Sequence, residues 1–283
     1  MEFIDDSRPS PIVGTWYPGN PSVLKEHVSQ FIAEAKINDE DFQGEPAGII
    51  VPHAGHRYSG KTAGYAYKAL KGTKPKIIVI VSPCHQHQYG DVITTKFMYY
   101  QTPLGKIPVA TKELSQLQQL LHEKNIHLEQ VKDDPEHAIE IQLPFLQEVY
   151  SHEYQIMPIM IRTRDPKIMK TLAHCISQTI KPKKSIVIAS TDLSHFYALD
   201  IAEQLDAEML RRIKANDPEK VLSAETEGKA AACGASAIAT VQWTLSELGA
   251  TNTFILNYST SADTTGDESS VVGYGSALIT GQP

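Results

Sequence analysis

The stretch KIIVIVS, residues 76–82, is an apolar run of strand length in which most side chains are β-branched. A second run of this kind, SIVIAS, occupies residues 185–190. Continuous apolar runs without polar alternation are typical of strands that are covered on both faces, as in parallel sheets. The same reasoning predicts further strands at residues 47–51, 155–161, 253–258 and 271–279.

The segments between these runs show helical spacing. Val28, Phe31, Ile32 and Ala35 form one apolar stripe, and a second stripe consists of Leu114, Leu117, Leu120 and Leu121. Two further helices are predicted to begin at Asp165-Pro166 and Asp217-Pro218, because an aspartate N-cap followed by proline is a helix-start signal.

Strands that alternate with helices indicate an α/β fold, in which a central, mainly parallel or mixed sheet is flanked by helices. The polar stretch TSADTTGDESS, residues 260–270, is interpreted as a surface loop that joins the last two strands. Because no long Ser/Gly linker interrupts the pattern, residues 1–283 are predicted to form a single layered domain.

Composition excludes several classes of protein. The formal net charge of −7 argues against a general nucleic-acid binder, and the short basic run at residues 181–184 is interpreted as a solvated loop. No apolar run approaches the roughly 20 residues of a membrane span, and the acidic N-terminus lacks the pattern of a secretory signal. The three cysteines have no CxxC spacing, which favours free thiols in a reducing compartment. We therefore expect a cytoplasmic protein without membrane contact.

Titratable side chains follow three of the predicted strands. His53 comes two residues after the predicted strand at 47–51, and His85 comes three residues after the strand KIIVIVS. Asp192 and His195 follow the strand SIVIAS. Ligands of open α/β sheets bind beyond the carboxyl ends of the strands, so these groups are predicted to meet at one edge.

A single histidine after a strand is more often a loop or capping residue than a ligand. We therefore assign His122, His127, His152 and His174 mostly to the surface. His56 and His87 are assigned mostly to the surface as well, but they are also candidates for positions beside the site. Cys175, within the helical LAHCISQ, is predicted to be a small core side chain.

Two other segments carry reactive groups. Cys233 precedes a glycine that is predicted to open an apolar helix, a position that favours the thiolate, although such a cysteine is by itself more often a buried, inert thiol among small residues. Glu136 and His137 lie at a predicted helix start and are placed to point inward. Glu140 comes one helical turn later and is interpreted as a solvated residue.

Motifs along nearly the whole chain resemble the Memo family, including its prokaryotic members known as AmmeMemoRadiSam system protein B. They are VGTWYPGN (13–20), VPHAGHRYSG (51–60), SPCHQH (82–87), DPEHAIEIQLPFL (134–146), STDLSHF (190–196), ACGASAI (232–238), LNYSTSAD (256–263) and SSVVGYGSALI (269–279). Memo proteins are similar in fold to class III extradiol dioxygenases of the LigB type, which are non-haem iron enzymes.

The resemblance implies roles for individual residues. His53 and His85 match the two histidine ligands of the dioxygenase site, and Cys233 takes the place of the carboxylate ligand. Asp192 and His195 are implied to line the same pocket, and His137 to stand where the dioxygenases keep a catalytic histidine. The chain departs from many relatives in one place, because Gln86, followed by another imidazole at His87, replaces the second histidine of a His-His pair.

Two imidazoles and a thiolate would leave positions open for water, oxygen or substrate. This donor set favours Fe(II) or copper, and zinc is a further option. The first hypothesis is a metal-dependent, dioxygenase-like oxidoreductase in which His195 or His137 is the general acid/base and Asp192 orients a neighbour. A thiolate beside such a metal is open to oxidation, which argues against sustained ring cleavage, and zinc hydrolysis is a variant.

The alternative hypothesis is a non-catalytic module that uses the same pocket for a metal ion, a small molecule, a peptide or a protein partner. Animal members of the family associate with phosphotyrosine peptides, and the family name implies AMMECR1-type and radical SAM proteins as partners. A hydrolytic triad of Ser190, Asp192 and His195 is disfavoured, since working triads gather from distant segments.

Overall fold

A computed structural model of the chain describes residues 1–38, 42–86 and 90–281, which alternate between strands and helices. Its strands are β1 (Ile4–Arg8), β2 (Glu45–Val51), β3 (Ile77–Pro83), β4 (Val92–Thr95), β5 (Phe97–Thr102), β6 (Gly105–Pro108), β7 (Leu128–Val131), β8 (Gln155–Ile161), β9 (Ser185–Ser190), β10 (His195–Tyr197), β11 (Ala250–Thr260) and β12 (Val271–Gly281). Its α-helices are α1 (Pro21–Glu34), α2 (His56–Ala69), α3 (Thr111–His122), α4 (Leu143–Val149), α5 (Pro166–Thr179), α6 (Leu199–Lys214), α7 (Pro218–Thr226), α8 (Ala235–Glu247) and α9 (Ala262–Thr265).

Four parallel strands form the centre of the main sheet, in the order β2-β9-β3-β8. In β3, the consecutive residues Ile78, Val79, Ile80 and Val81 are all 0% exposed. Because successive side chains of a strand point to opposite faces, both faces of this strand are covered. The prediction drawn from KIIVIVS is therefore confirmed.

Antiparallel pairs complete the sheet on both sides of this parallel centre. On one side, β12 pairs antiparallel with β2, β11 and β10. On the other, β4 pairs antiparallel with β8 and parallel with β7. A small separate sheet has the order β1-β5-β6. The fold is therefore an α/β fold with a large mixed sheet, which confirms the predicted class.

Two groups of helices flank the sheet. One contains α1, α2 and α4, and the other contains α5, α6, α7 and α8. The helices α1 and α2 pack so closely that a Cβ at Gly64 would lie 2.3 Å from the backbone oxygen of Phe31, and glycine permits this contact. The starts of α5 and α7 are as predicted, since Asp165 caps the amide of Lys167 and Asp217 caps the amide of Lys220. None of the helices in the described part of the chain combines the length and apolar character that a membrane span requires.

The predicted strand boundaries agree with the structure to within a few residues. The strands at 155–161 and 185–190 coincide with β8 and β9, whereas β11 and β12 extend beyond 253–258 and 271–279. Residues 260–270 contain the short helix α9 and are largely exposed, and the basic run at 181–184 is exposed before β9. The strands β1, β4, β5, β6, β7 and β10 were not predicted from the sequence.

Candidate metal centre

The three strand-end segments with predicted site residues come from adjacent strands. His53 follows β2, Asp192 follows β9 and His85 follows β3, and β9 lies between the other two in the sheet. Because these strands are parallel, their carboxyl ends meet at one edge. This edge is where ligands of open α/β sheets bind.

His53, His85 and Cys233 converge at this edge. One ligand atom from each residue lies within 4.8 Å of the other two. His53 Nε2 and Cys233 Sγ are 3.1 Å apart, and the rings of His53 and His85 are perpendicular with centroids separated by 5.5 Å. Metal bonds of about 2.0–2.3 Å place neighbouring ligand atoms roughly 3–4 Å apart, so one ion fits between these three side chains.

Cys233 lies in the segment that leads into α8. Gly234 is the N-cap of this helix, and its amide donates to Thr191 Oγ1 at 3.0 Å. The amide of Asp192 donates to Cys233 Sγ at 3.3 Å. The expected lowering of the thiol pKa is wrong for the protein without an ion, because burial and the Asp192 carboxylate raise the pKa of Cys233. A bound cation would supply the positive charge that the thiolate needs.

His53 is held by contacts to its backbone and its ring. Asp192 Oδ1 accepts from the amides of His53 at 2.7 Å and Ala54 at 3.2 Å. Ser190 Oγ lies 3.2 Å from His53 Nδ1, on the side of the ring away from Cys233. Burial, followed by the proximity of His85, lowers the pKa of His53 to about 3, so this imidazole is neutral at pH 7.

His85 is oriented by Glu136, which lies on a loop more than fifty residues further along the chain. The Glu136 carboxylate accepts from the His85 amide at 2.6 Å and from His85 Nδ1 at 3.0 Å. Burial alone would raise the pKa of Glu136, but the hydrogen bonds and charge of His85 outweigh it and lower this pKa to about 2. The same hydrogen bond raises the pKa of His85. Nδ1 of His85 is thus occupied, and Nε2 is left for a metal.

His137 forms one wall of the site. Its ring stacks on that of His85 at 5.1 Å and is perpendicular to that of His53 at 5.4 Å. Trp16, a residue of the N-terminal loop that is 36% exposed, packs its ring on that of His137, with the ring centroids 4.1 Å apart. Burial, followed by the proximity of His53, lowers the pKa of His137 to about 4. The inward orientation predicted for Glu136 and His137 is found.

Asp192 lies close to His53, and His195 lines a cavity that Cys233 also borders. Asp192 Oδ2 is 3.9 Å from His53 Nε2, and burial raises the pKa of this carboxyl group. His195 Nδ1 donates to the Leu193 carbonyl at 2.9 Å. The His195 ring lines a cavity of about 360 Å³ that also reaches Cys233 and Arg164. Cys233 is a lining residue of this cavity, whereas His53, His85, His137 and Asp192 are not.

Several sequence-based assignments are wrong. His56 was assigned mostly to the surface but is 2% exposed, because α2 begins at this residue and packs its ring against Phe145 of α4. Glu140 is not solvated; it is 1% exposed and accepts from Arg8 Nη1 and the Tyr17 hydroxyl, both at 2.7 Å. Glu136 also precedes the helix, since a 3-10 turn begins only at Glu140.

The other histidine and cysteine assignments have mixed outcomes. His122, His127 and His174 are exposed as predicted, and Cys175 is buried. His152 is half-buried, and its Nε2 lies 2.8 Å from the Pro75 carbonyl. His87 lies outside the described residues. Ser190 hydrogen-bonds to Ala138, Gln142 and His53, not to His195, which agrees with the low rank given to a hydrolytic triad.

The structural roles of three residues around the site were not predicted from the sequence. Ser190 and Gln142 contact each other beside His53, and Arg8 holds the loop that carries Glu136. Their partners are backbone carbonyls and residues that are distant in sequence. Apart from the buried strand end at Ser190 and the family motif that contains Gln142, the sequence gives no signal for these contacts.

Comparison with known proteins identifies relatives over nearly the whole chain. The family model described as "Memo-like protein" matches residues 8–278. A MEMO1 family protein of Nitrosopumilus maritimus is 33% identical over 93% of this chain and 96% of its own length. The MEMO1 family protein of Thermoplasma volcanium is 30% identical over 96% of this chain and 97% of its own length.

Proposed function

This chain belongs to the Memo family, and on that premise we propose that it is a metal-binding protein in which His53, His85 and Cys233 hold one metal ion. The observation that carries the proposal is the convergence of their three ligand atoms within 4.8 Å. In both histidines Nδ1 already has a partner from the protein, so Nε2 is the nitrogen available to a metal. Orienting partners of this kind are typical of metal-binding histidines.

The donor set favours particular metals. Two neutral imidazole nitrogens and one thiolate suit copper or Fe(II), and catalytic zinc also accepts mixed nitrogen and sulfur ligands. The His85 side chain is 38% exposed, so one side of the site is open to a further ligand. A redox-active ion at such an open position would supply one-electron or dioxygen chemistry, and we propose a non-haem oxidoreductase related to the class III extradiol dioxygenases as the reaction class.

The surrounding residues can serve such chemistry. His137 is a neutral imidazole beside both histidine ligands, and it can accept a proton from a bound substrate. His195 donates through Nδ1 to a carbonyl, which leaves its Nε2 available as a second proton acceptor at the cavity. Asp192 holds the His53 backbone through one oxygen and faces the His53 ring with the other.

Metal analysis of the full chain tests the proposal. Protein purified without oxygen is expected to retain close to one equivalent of metal, or to bind one equivalent of added Fe(II), Cu(I) or Zn(II). His53→Ala and Cys233→Ala should each weaken binding by more than about 100-fold, because loss of an outer-shell partner alone costs about 10–100-fold. His122→Ala and Cys175→Ala are controls that remove an exposed imidazole and a thiol outside the cluster. Unchanged stoichiometry and affinity in the first two variants would refute the proposed site.

A second candidate is a non-catalytic binding module, and aromatic side chains at the site favour it. Trp16 and Tyr197 are 36% and 44% exposed, and Phe196, beside His195, is 76% exposed. Exposed aromatic groups beside a polar pocket are typical of interaction surfaces. Oxygen consumption by the metal-loaded protein with a reductant distinguishes the candidates. The enzyme should exceed the rate of the free metal ion and lose this excess on Cys233→Ala, whereas a binding module should show no excess.

A further inference from the structure

A buried chain of hydrogen bonds behind His53 begins at two backbone carbonyls, those of Pro52 and Ala138. Gln142 Nε2 lies 2.9 Å from the Pro52 oxygen, and Ser190 Oγ lies 2.6 Å from the Ala138 oxygen. A carbonyl oxygen can only accept hydrogen bonds. Each of these contacts therefore fixes where a hydrogen atom of the side chain must point.

The contact to Pro52 fixes the orientation of the Gln142 amide. Its NH₂ group faces the Pro52 oxygen, and the second N–H donates to Ser190 Oγ at 2.9 Å. Its Oε1 accepts from the Tyr67 hydroxyl at 2.9 Å. The reversed amide would place oxygen against the Pro52 oxygen and leave Ser190 without this donor. Gln142 is 1% exposed and Tyr67 is 0% exposed, so water does not compete for these contacts.

The contact to Ala138 uses the one hydrogen that the Ser190 hydroxyl possesses. Ser190 Oγ must then accept in its other two contacts, from Gln142 Nε2 and from His53 Nδ1 at 3.2 Å. A serine oxygen has two lone pairs, which matches these two donors. The nitrogen that faces Ser190, His53 Nδ1, therefore has to carry a hydrogen.

We infer that Ser190 and Gln142 are positioning residues that fix the tautomer of His53, with the proton on Nδ1 and a bare Nε2 directed toward Cys233. The contact of 3.1 Å between His53 Nε2 and Cys233 Sγ fits this assignment, since a thiol can donate to an unprotonated nitrogen. The ligand nitrogen is thus prepared before any ion arrives. The consequence for metal affinity rests on the proposed function, whereas the tautomer is a property of the metal-free protein.

The two histidines are oriented by partners of different charge. His85 Nδ1 donates to the Glu136 carboxylate, and a carboxylate partner makes an imidazole more basic. His53 Nδ1 donates to a neutral hydroxyl whose lone pairs are shared with Gln142. The hydroxyl fixes the direction of the His53 ring without adding a second buried negative charge next to Asp192.

Nitrogen-15 NMR of metal-free full-length protein with labelled histidine rings tests the inference. The His53 signals are assigned by their loss in His53→Gln, and at neutral pH they should show a protonated Nδ1 and a bare Nε2. Ser190→Ala should move His53 toward a mixture of tautomers or toward protonated Nε2, and should weaken binding of added Zn(II) by about 10–100-fold. The matched control is Ser82→Ala, which removes an equally buried strand-end hydroxyl that donates to the Pro83 carbonyl.

Each outcome decides between alternatives. A wild-type His53 with its proton on Nε2 overturns the inference whether or not the Ser190→Ala variant folds. A Ser190→Ala protein with the wild-type tautomer and the Zn(II) affinity of Ser82→Ala would show that Ser190 does not position the ring. If the tautomer is as inferred but the wild-type protein binds no metal, the proposed function fails while the tautomer assignment stands.

Discussion

Arg8, at the end of β1, connects the N-terminal strand to the loop that supports His85. Its guanidinium group pairs with Asp134 at 2.6 Å and with Glu140 at 2.7 Å, and it donates to the carbonyls of Asp134 and Glu136. All three charged side chains are 1% exposed. Burial opposes the charge of Arg8, but the neighbouring acidic groups keep its pKa above the usual value. One buried cation therefore holds together the loop from which Glu136 reaches the site.

Removal of this cation should be costly. Arg8→Met leaves two carboxylates buried without their partner, and we expect the free energy of unfolding to fall by about 3–5 kcal/mol. The double variant Arg8→Met/Glu140→Gln should recover part of this loss, because it removes one of the two uncompensated charges. Urea unfolding followed by circular dichroism measures both effects.

The control for Arg8 is a pair with a similar distance on the surface. Arg211 Nε lies 2.6 Å from Glu208, but the Arg211 side chain is 64% exposed. Exposed pairs contribute little because water screens them, so Arg211→Met should leave the urea midpoint within experimental error. Equal effects of Arg8→Met and Arg211→Met would contradict the importance assigned to the buried cluster.

At the level of single residues, the sequence predicted groups whose chemistry is visible in their type and position. His53 and His85 follow strands that could be recognised, and Cys233 was placed by the helix after it and by family resemblance. Ser190 and Gln142 were missed because their function depends on backbone carbonyls and on a contact between residues 48 positions apart. Glu140 was misassigned because its partner Arg8 is 132 positions away.

At the level of elements, the close packing of the start of α8 on the end of β9 determines the position of Cys233. A Cβ at Gly234 would lie 2.6 Å from Thr191 Cβ and 2.8 Å from the Ser190 carbonyl oxygen. These distances are far below van der Waals contact, and one of them involves backbone of the strand. Glycine at the N-cap thus allows the start of α8 to rest directly on the end of β9.

Gly234→Ala should move the start of α8 and withdraw the thiol from the histidines. We expect a loss of stability of about 1–3 kcal/mol from overpacking, and a metal affinity at least about tenfold lower because Cys233 no longer meets the other ligands. Urea unfolding and metal titration measure the two effects separately.

Gly55 offers a matched control, since it is also a helix N-cap beside a predicted ligand. A Cβ there would meet the Trp16 carbonyl oxygen at 3.4 Å, which is ordinary contact. Gly55→Ala should therefore change stability and metal affinity much less than Gly234→Ala. The reverse order would refute the role given to the α8–β9 contact.

Element prediction succeeded where a segment could be recognised by itself. The buried strands β3, β8 and β9 are continuously apolar, and α5 and α7 begin with an aspartate and a proline. The missed strands are short or partly polar, such as Val92–Thr95 and Gly105–Pro108. Their strand conformation depends on pairing with distant segments, and local patterns carry little information about such pairing.

At the level of the whole molecule, the sheet explains why the site was foreseeable while the sheet edges were not. The central strands must be parallel and buried, so their carboxyl ends bring His53, Asp192 and His85 to one edge. The long strands β11 and β12 were recognised, but their antiparallel pairing with each other and with β2 was not. Apolar pattern reports burial, whereas strand direction and order follow from connections that composition does not encode.

The site and its surroundings also make the whole molecule sensitive to acid. Burial lowers the pKa of His53 to about 3, and it lowers the pKa values of His56 and His137 to about 4. In the unfolded chain these imidazoles take up protons near pH 6.5. Between about pH 6.5 and pH 4 the unfolded state thus binds up to three more protons, and the free energy of unfolding falls as the pH falls. The raised pKa of His85 offsets part of this effect, since its folded form keeps a proton more readily.

The metal-free protein should therefore lose stability steeply below pH 6. Each of the three imidazoles contributes up to about 1.4 kcal/mol per pH unit in this window, and His85 works in the opposite direction. His56 is the residue to change, because it is buried outside the ligand cluster and its Nε2 reaches only the Ile141 carbonyl among its described polar contacts. His56→Asn should reduce the slope of stability against pH by about one proton, whatever its effect at pH 7, whereas the exposed His122→Asn should leave it unchanged. Urea unfolding between pH 4.5 and 7.5 measures these slopes. A flat wild-type profile would show that burial does not keep these imidazoles neutral, and a slope that His56→Asn does not alter would show the same for His56.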